Sequence, residues 1–418
     1  MRPTPRGILF LAVALLLYLL ARQTTIGWFY VVDAGMWAAA LVNLFLPGWT
    51  LRRLKARRAL DRRASALKLG IFEGDAVTVS VTVTNGGRLP RFLVALVERC
   101  PLLLPGQRQR RFLLGRLGGH SSGTATYQVV CGTRGDYRFG PLLANSASPF
   151  GLFRAQMALE APLRVLVFPQ VLDFDAHRAM GEVAGLSSPV VFARSTGDFR
   201  SAREYYHGDS LRHVHWRSSA RQGKLMVKQF DAPPQPHLGV LFDARKSFGE
   251  GKEATLEYAV KLAAALGCAC LREGGGFFMA PPGPSVRFSG PRPLLEYLAR
   301  LQTGTGKGLV GALRSWQAPG AVVAIVAAAD AEGVEALVRQ APRNLMAVVL
   351  LQGFAAAGEA PDALPRLRRL GSAGIALVTC TPGALRETLD ALARSRLLGG
   401  RVPAGGTPGR ARAGEMMR

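Results

Sequence analysis

Apolar residues fall into three successive patterns along the chain. The first is continuous: Ile8 to Ala21 is unbroken, and Trp28 to Leu46 follows with Asp33 and Asn43 as interruptions. As helix the first run covers about 21 Å, short of a ~30 Å hydrocarbon core, so a secretory signal peptide is a rival reading. No small-x-small cleavage site follows it, however. The second run has Trp28, Phe29 and Tyr30 at one edge and Phe45 and Trp49 at the other, the placement of interfacial aromatics. Asp33 lies near one end, where a carboxylate reaches headgroups. The expected element is a transmembrane helical hairpin over residues 1–50.

The second pattern, over residues 70–170, is period two. Val77 to Thr84 alternates and ends at Asn85-Gly86-Gly87, a hairpin-type turn. Further strands are expected at Leu93–Arg99, Gln109–Leu114, Thr124–Cys131, Gly135–Phe139 and Leu163–Phe168. Short strands punctuated by Gly and Pro predict a β-sandwich, in an order compatible with an immunoglobulin-like fold.

In the third pattern, over 238–398, strands and helices alternate. Strands are expected at Leu238–Asp243, Gly276–Ala280, Ala321–Ala329, Leu345–Leu351 and Ile375–Cys380. Helices are expected at Glu253–Arg272, Pro293–Leu301, Glu332–Gln340, Ala363–Leu370 and Pro382–Arg396. Strands apolar throughout their length predict a parallel sheet covered on both faces, a doubly wound α/β domain. The tail 399–418, rich in Gly, Pro and Arg, is expected to be disordered.

Charge changes this picture in one place. The chain carries 53 Lys+Arg against 28 Asp+Glu, net +25, which admits nucleic acid, anionic lipid or an acidic partner. Residues 1–69 hold 11 of the basic residues and 2 of the acidic ones. Seven of those basic residues, Arg52, Arg53, Lys55, Arg57, Arg58, Arg62 and Arg63, follow the second apolar run and define a basic juxtamembrane segment, 51–69. By the positive-inside rule both chain ends then face the cytoplasm. The expected location is the bacterial cytoplasmic membrane, two-pass, with the soluble domains cytosolic and anionic lipid touching Arg52–Arg63. Five cysteines at 100, 131, 268, 270 and 380 exclude a disulfide scaffold and suit that compartment. No aromatic-basic RNA motif or recognition helix is visible, so nucleic-acid binding is the weakest of the three.

Between the two domains, the linking segment 171–237 carries the most distinctive residues. Gly208-Asp209 reads as a turn, with Asp209 or Ser210 capping a helix from Leu211 that Gly223 ends, followed by a strand at Leu225–Phe230. Arg200, Arg203, Arg212, Arg217 and Arg221 face Asp198, Glu204, Asp209 and Asp231 along this stretch. The bland reading is an ion-pair network that docks the helix.

The same segment resembles the signature of the bacterial "domain of unknown function 58" family, Arg-x-Tyr-x-x-Gly-Asp-x-x-Arg-x-x-x-Trp-x-x-x-Ala-Arg. It is matched at Arg203, Tyr205, Gly208, Asp209, Arg212, Trp216, Ala220 and Arg221, and Leu225, Val227 and Lys228 fit as well. Arg134-Gly135-Asp136-Tyr137 and Ser148 to Phe153 extend the likeness into the β-domain. The resemblance implies a membrane-anchored protein with a von Willebrand factor A-like domain and no established enzymatic activity. It also implies work beside MoxR-type AAA+ ATPases in assembly or chaperone-like processes.

A metal-binding von Willebrand A domain uses Asp-x-Ser-x-Ser after its first strand. Here the run is Asp243-Ala244-Arg245-Lys246-Ser247. Asp243 and Ser247 fit, with Asp330 as a further carboxylate, but Arg245 offers no acceptor to a divalent ion. Arg245 and Lys246 are expected to occupy the metal's place beside Asp243. His207, His213 and His215 are the wrong spacing for chelation on a helix, and Cys268-Ala-Cys270 reads as helix core. Gly304 to Gly308 lacks the first glycine and the Ser/Thr of a phosphate loop and reads as an ordinary loop. No catalytic trio stands out and no cofactor is expected. A membrane-anchored scaffold is the leading expectation, with a metal-dependent hydrolase using Asp243, Asp330 and the His-rich helix as the alternative.

Overall fold

The computed structural model describes residues 1–24, 26–61, 70–103, 109–174, 199–206, 214–230, 237–280, 285–306, 308–354, 363–371 and 374–394; at 199–203 and 228–230 only the backbone is described. The chain divides into two compact units: Met1–Gln170 with Leu295–Leu301, and Val171–Leu294 with Gln302–Arg418.

The first unit opens with a two-residue strand β1 (Arg2–Pro3) and helices α1 (Pro5–Thr24) and α2 (Gly27–Leu51). At 1.5 Å per residue these run about 30 and 37 Å, so α1 outgrows its apolar run. Thr4 starts it, its hydroxyl oxygen accepting the Gly7 N–H at 3.1 Å. Both helices are long and apolar enough, by length and composition, to cross a membrane. Gly7, Ala14 and Ala21 form the buried stripe of α1, and Asp33, Ala40 and Pro47 recur at the same spacing on α2. Small side chains permit close helix approach. Asp33 therefore does not reach outward as expected: it is 6% exposed and its Oδ1 has no partner.

Within the expected basic juxtamembrane segment 51–69, Leu54–Asp61 form strand β2, and 62–69, with Arg62 and Arg63, lie outside the described residues. The alternation of β2 explains its burial pattern: Lys55 and Arg57 point out, while Leu54, Ala56 and Arg58 point in. The β-domain thus begins at residue 54. It continues through β3 (Ile71–Phe72), β4 (Ala76–Asn85), β5 (Arg91–Arg99), β6 (Gln109–Leu117), β7 (Ser122–Val130) and β8 (Gly135–Phe139), then β9 (Leu142–Ser146), β10 (Phe153–Leu159) and β11 (Leu163–Phe168). Three sheets result, in the orders β1-β10-β9-β5-β6, β2-β4-β7 and β3-β11-β8. Val79, Val81 and Val83 from β4, Val94 and Leu96 from β5, and Leu142 and Ala144 from β9 meet in one core. Arg58 enters that core as half of an ion pair with Glu98 at 2.8 Å, both side chains 0% exposed. It also donates to the carbonyl oxygens of Gly140 and Ala161.

The Ser148–Phe153 motif has a structural task here. The Leu152 carbonyl accepts the Thr4 N–H at 2.9 Å, and the Leu152 N–H donates to Asn43 Oδ1 at 3.1 Å. One residue of the β-domain thereby holds the root of both helices. A Cβ at Gly7 would stand 2.0 Å from the Leu152 oxygen, so this contact admits only glycine.

The second unit begins with an antiparallel pair, β12 (Phe199–Glu204) and β13 (Met226–Phe230), enclosing α3 (Trp216–Gln222). A six-stranded sheet follows. In chain order the elements are β14 (His237–Phe242), α4 (Thr255–Arg272), β15 (Gly276–Ala280), β16 (Val286–Phe288), α5 (Pro291–Arg300, from Leu295 on grouped with the first unit) and α6 (Gly308–Ser315). Next come β17 (Ala321–Ala327), α7 (Ala331–Arg339), β18 (Leu345–Leu351), α8 (Ala363–Gly371), β19 (Ala376–Cys380) and α9 (Leu385–Arg394). The strand order is β16-β15-β14-β17-β18-β19. All neighbours are parallel except β16, which pairs antiparallel with β15. Order reverses between β14 and β17, where connections part to opposite faces and leave a crevice at the strands' carboxyl ends. Cys268 and Cys270 lie buried in α4; burial pushes both thiols up to about 11, as inert core side chains require. The tail 399–418 lies outside the described residues.

Candidate functional site

The crevice between β14 and β17 gathers Asp243, Arg245, Lys246 and Asp330. Asp243 is the first residue beyond β14. Its Oδ1 accepts the Arg245 N–H at 2.7 Å, closing a tight turn, and its Oδ2 accepts the Leu309 N–H at 3.3 Å in the first turn of α6. A carboxylate there complements the helix dipole. Arg245 Nη2 stands 3.5 Å from the same Oδ2. The Gly304–Gly308 loop, expected to be ordinary, leads into α6 and so belongs to this site: the Gly304 N–H donates to the Ala244 carbonyl at 2.9 Å.

Across the crevice Asp330 is 4% exposed at the start of α7. Gly333 makes room for it, since a Cβ there would lie 2.2 Å from Asp330 Oδ2. Lys246 Nζ bridges Asp330 Oδ1 at 3.1 Å and Glu332 Oε2 at 3.0 Å. The Glu332 and Asp330 carboxylates hold its ammonium above the ordinary lysine range. Lys246 therefore pairs with Asp330 and Glu332, and Arg245 alone sits against Asp243. A small cavity among Asp243, Lys246, Thr255 and Asp330 remains. With an ammonium on two carboxylates and a guanidinium on the third, this donor set does not fit a divalent ion. Among the described residues no group of three His, Cys, Asp or Glu side chains has metal-holding geometry. Ser247, the last residue of the degenerate motif, has no described hydrogen bond to Asp243 or Asp330. Glu332 was not foreseen; its position two residues after Asp330, in the first turn of α7, was the available signal.

The signature segment forms a second feature of the same unit. Its helix starts at Trp216 rather than Leu211, because Val214 makes an antiparallel bridge to Val227. His215 caps it, Nδ1 accepting the Ser218 N–H at 3.2 Å. His215 is thus a cap and not a helical ligand, and its own N–H donates to the Met226 carbonyl at 2.7 Å. Ser219 Oγ donates to the His215 carbonyl and accepts the Met226 N–H, at 3.1 and 2.9 Å. Gly223 ends the helix at φ 65° as expected. Glu204, expected to face arginines, pairs with Lys224 at 2.8 Å, both well exposed. Tyr205 is half-buried, whereas Ala220, Arg217 and Arg221 are exposed. Trp216 is 67% exposed. Arg203 and Lys228 lie on β12 and β13 by backbone alone. Gly208, Asp209 and Arg212, with His207 and His213, fall outside the described residues.

"Uncharacterized protein YeaD" of Bacillus subtilis (strain 168) is 23% identical over 242 residues, 56% of this chain and 57% of that protein. The chain thus spans little more than half the length of the curated relative it matches. Among solved structures, the PilB minor pilin from Streptococcus sanguinis aligns over 75% of this chain and 89% of its own, at 10% identity and TM-score 0.29. The alkylpurine DNA glycosylase AlkC of Pseudomonas fluorescens covers 31% of this chain and 38% of its own, at 19% identity and TM-score 0.15. Similarities this low carry no argument about fold. The signature hairpin and the first two strands of the parallel sheet do carry a family likeness: residues 201–280 match the family described as "Protein of unknown function DUF58".

Proposed function

We propose that this protein is a membrane-anchored scaffold whose α/β unit docks a protein partner of the AAA+ ATPase class, in assembly or chaperone-like work. In this reading α1 and α2 hold it in the bacterial cytoplasmic membrane with both ends in the cytoplasm. The exposed apolar shafts of both helices, Leu9, Val13, Leu16, Val31, Val42 and Phe45 among them, support the anchor, since soluble monomers rarely leave so large an apolar surface open. The antiparallel β16 edge on an otherwise parallel sheet supports a von Willebrand A-like reading of the α/β unit. Sheets facing across one core support an immunoglobulin-like reading of the β-domain.

The observation that carries docking is Trp216. It stands in water at the head of a helix fixed by His215 and Ser219, beside exposed Arg217 and Arg221. Tryptophan and arginine on a rigid support are the composition of an interface hot spot. The pairing of Lys246 with Asp330 and Glu332 supports docking without a metal. A photo-crosslinking amino acid at position 216 in intact cells tests the reading. An adduct with an ATPase, lost when Arg217 and Arg221 become glutamate, is the expected result. An adduct with another class of protein, or none, overturns it. Alkaline phosphatase fused after Gln170 should be inactive, and fused between the helices, active.

A further inference from the structure

We infer that the outer face of sheet β10-β9-β5-β6, beside the first turn of α1, is a seat for the headgroups of anionic phospholipid. This rests on the membrane reading of α1 and α2 and adds a lipid chemistry to it.

The face is defined by register. Val94 and Leu96 of β5 turn into the core, so Leu93, Ala95 and Val97 turn outward. Arg111 lies opposite Val97 and Leu113 opposite Ala95 on β6. On the other flank Asn145 lies opposite both Ala95 and Gln156, and Arg154, two residues before Gln156, shares that side. Arg6, Arg111 and Arg154 line one groove with Leu93, Leu113 and Phe150, and among its described lining residues none is acidic.

Three features are costly in water and sensible at a bilayer surface. Arg2 sits directly opposite Arg154, and like charges so placed repel unless an anion joins them. Leu93 has φ 51°, a backbone region a bulky side chain rarely adopts, and that strain does not bury it: Leu93 is 48% exposed. Leu113 at 65% and Phe150 at 62% are more open still. The groove also sits at the right depth. Leu152, held by Thr4 and Asn43, is two residues from Phe150, so the groove opens where both apolar helices leave the β-domain. Guanidinium forks suit a phosphodiester, and leucine and phenylalanine suit the acyl chains below it. These arginines are distant in sequence from Arg52–Arg63, where lipid contact is also expected.

The test uses full-length protein in nanodiscs of phosphatidylcholine, alone or mixed with phosphatidylglycerol, labelled with hydroxyl radicals. Leu9 and Leu16 should be protected in both, Leu113 and Phe150 more strongly with phosphatidylglycerol. In detergent, phosphatidylglycerol retention read by native mass spectrometry should fall roughly fivefold for each of Arg111→Gln and Arg154→Gln, the worth of one basic residue at an anionic surface. Both residues are exposed and unpaired among the described residues, so folding should survive, as circular dichroism would verify. Equal labelling of Leu113 and Phe150 in both lipids, with Leu9 and Leu16 protected, overturns the lipid seat alone. Labelled Leu9 and Leu16 overturn the membrane reading and the seat together. Protection by inorganic phosphate in phosphatidylcholine discs, or protection that tracks a crosslinked dimer, assigns the face to a free anion or a second copy and also overturns it.

Discussion

Two ion pairs of the same chemistry sit in opposite settings in this molecule. Arg58–Glu98 is fully enclosed in the β-domain core, whereas Lys246 reaches Asp330 and Glu332 at the open end of the parallel sheet with 42% of its side chain exposed. In the core, taking both charges out of water is costly, and the arginine's remaining donors must find partners, as they do at Gly140 and Ala161. At the sheet end water screens the charges and the geometry is free to change. A buried pair of this kind is a fixed structural element; an open one is available to a ligand.

Breaking the core pair should have the largest effect. Arg58→Ala leaves an unpaired carboxylate and should cost about 3–5 kcal/mol of β-domain stability, measured by denaturant unfolding of the purified protein. Replacing both partners, Arg58→Met with Glu98→Leu, should restore most of that, because the pair's worth is mainly the penalty of orphaning one member. An equal loss in both variants would show that Arg58 acts through its carbonyl partners instead. The pair also predicts a pH dependence. Burial raises the Glu98 carboxyl above its ordinary 4.5, with Arg58 pulling it back. The folded state then binds that proton more tightly than the unfolded chain. The contribution of the protonated carboxyl is complete below about pH 4.5 and lost as pH rises through the folded value. Glu98→Gln should remove that slope.

The next effect concerns a polar contact between the helices and the β-domain. Asn43→Leu would leave the buried Leu152 N–H without its acceptor, at about 1–3 kcal/mol. Hydrogen exchange should quicken across Ser148–Phe153 while the Arg58–Glu98 strands keep their protection. Loss of protection in both places would mean that helices and core unfold as one.

Period and run length carried the fold into the sequence, and side-chain partners are where reading failed. Strands apolar throughout, such as Ala321–Ala327 and Leu345–Leu351, and the alternating Ala76–Asn85 were legible because one face or both must be buried. Leu54–Asp61 was not, since its LKARRALD pattern reads as a charge cluster until Arg58 is known to have Glu98, 40 residues away, as its partner. Asp33 was misplaced for the same reason: a carboxylate near a helix end reads as exposed, and its burial depends on packing that no local pattern records. At the sheet end Asp243 and Asp330 were legible as residues that follow apolar strands. Their actual partners, the Leu309 amide and Lys246, depend on α6 and α7 being brought beside β14, which no local pattern records.

The smallest effect on stability should fall at the open pair, where it can separate structure from function most cleanly. Lys246→Ala removes a partly solvated ammonium and should cost less than about 1 kcal/mol, because screened pairs contribute little. Its electrostatic effect should be larger than its thermodynamic one. Asp330 is left nearly buried beside Glu332, while Asp243, which lines the same cavity, keeps Arg245. Adding Arg245→Ser removes the guanidinium beside Asp243 and supplies an oxygen ligand of the kind Mg²⁺ requires. Calorimetric titration should show Mg²⁺ or Mn²⁺ binding in the double variant and none in Lys246→Ala or the unsubstituted protein, because only the double variant gains an oxygen ligand. Binding by the unsubstituted protein that Asp243→Ala abolishes would mean that Lys246 swings away to admit the ion, and the open pair would be a gate in place of a plug.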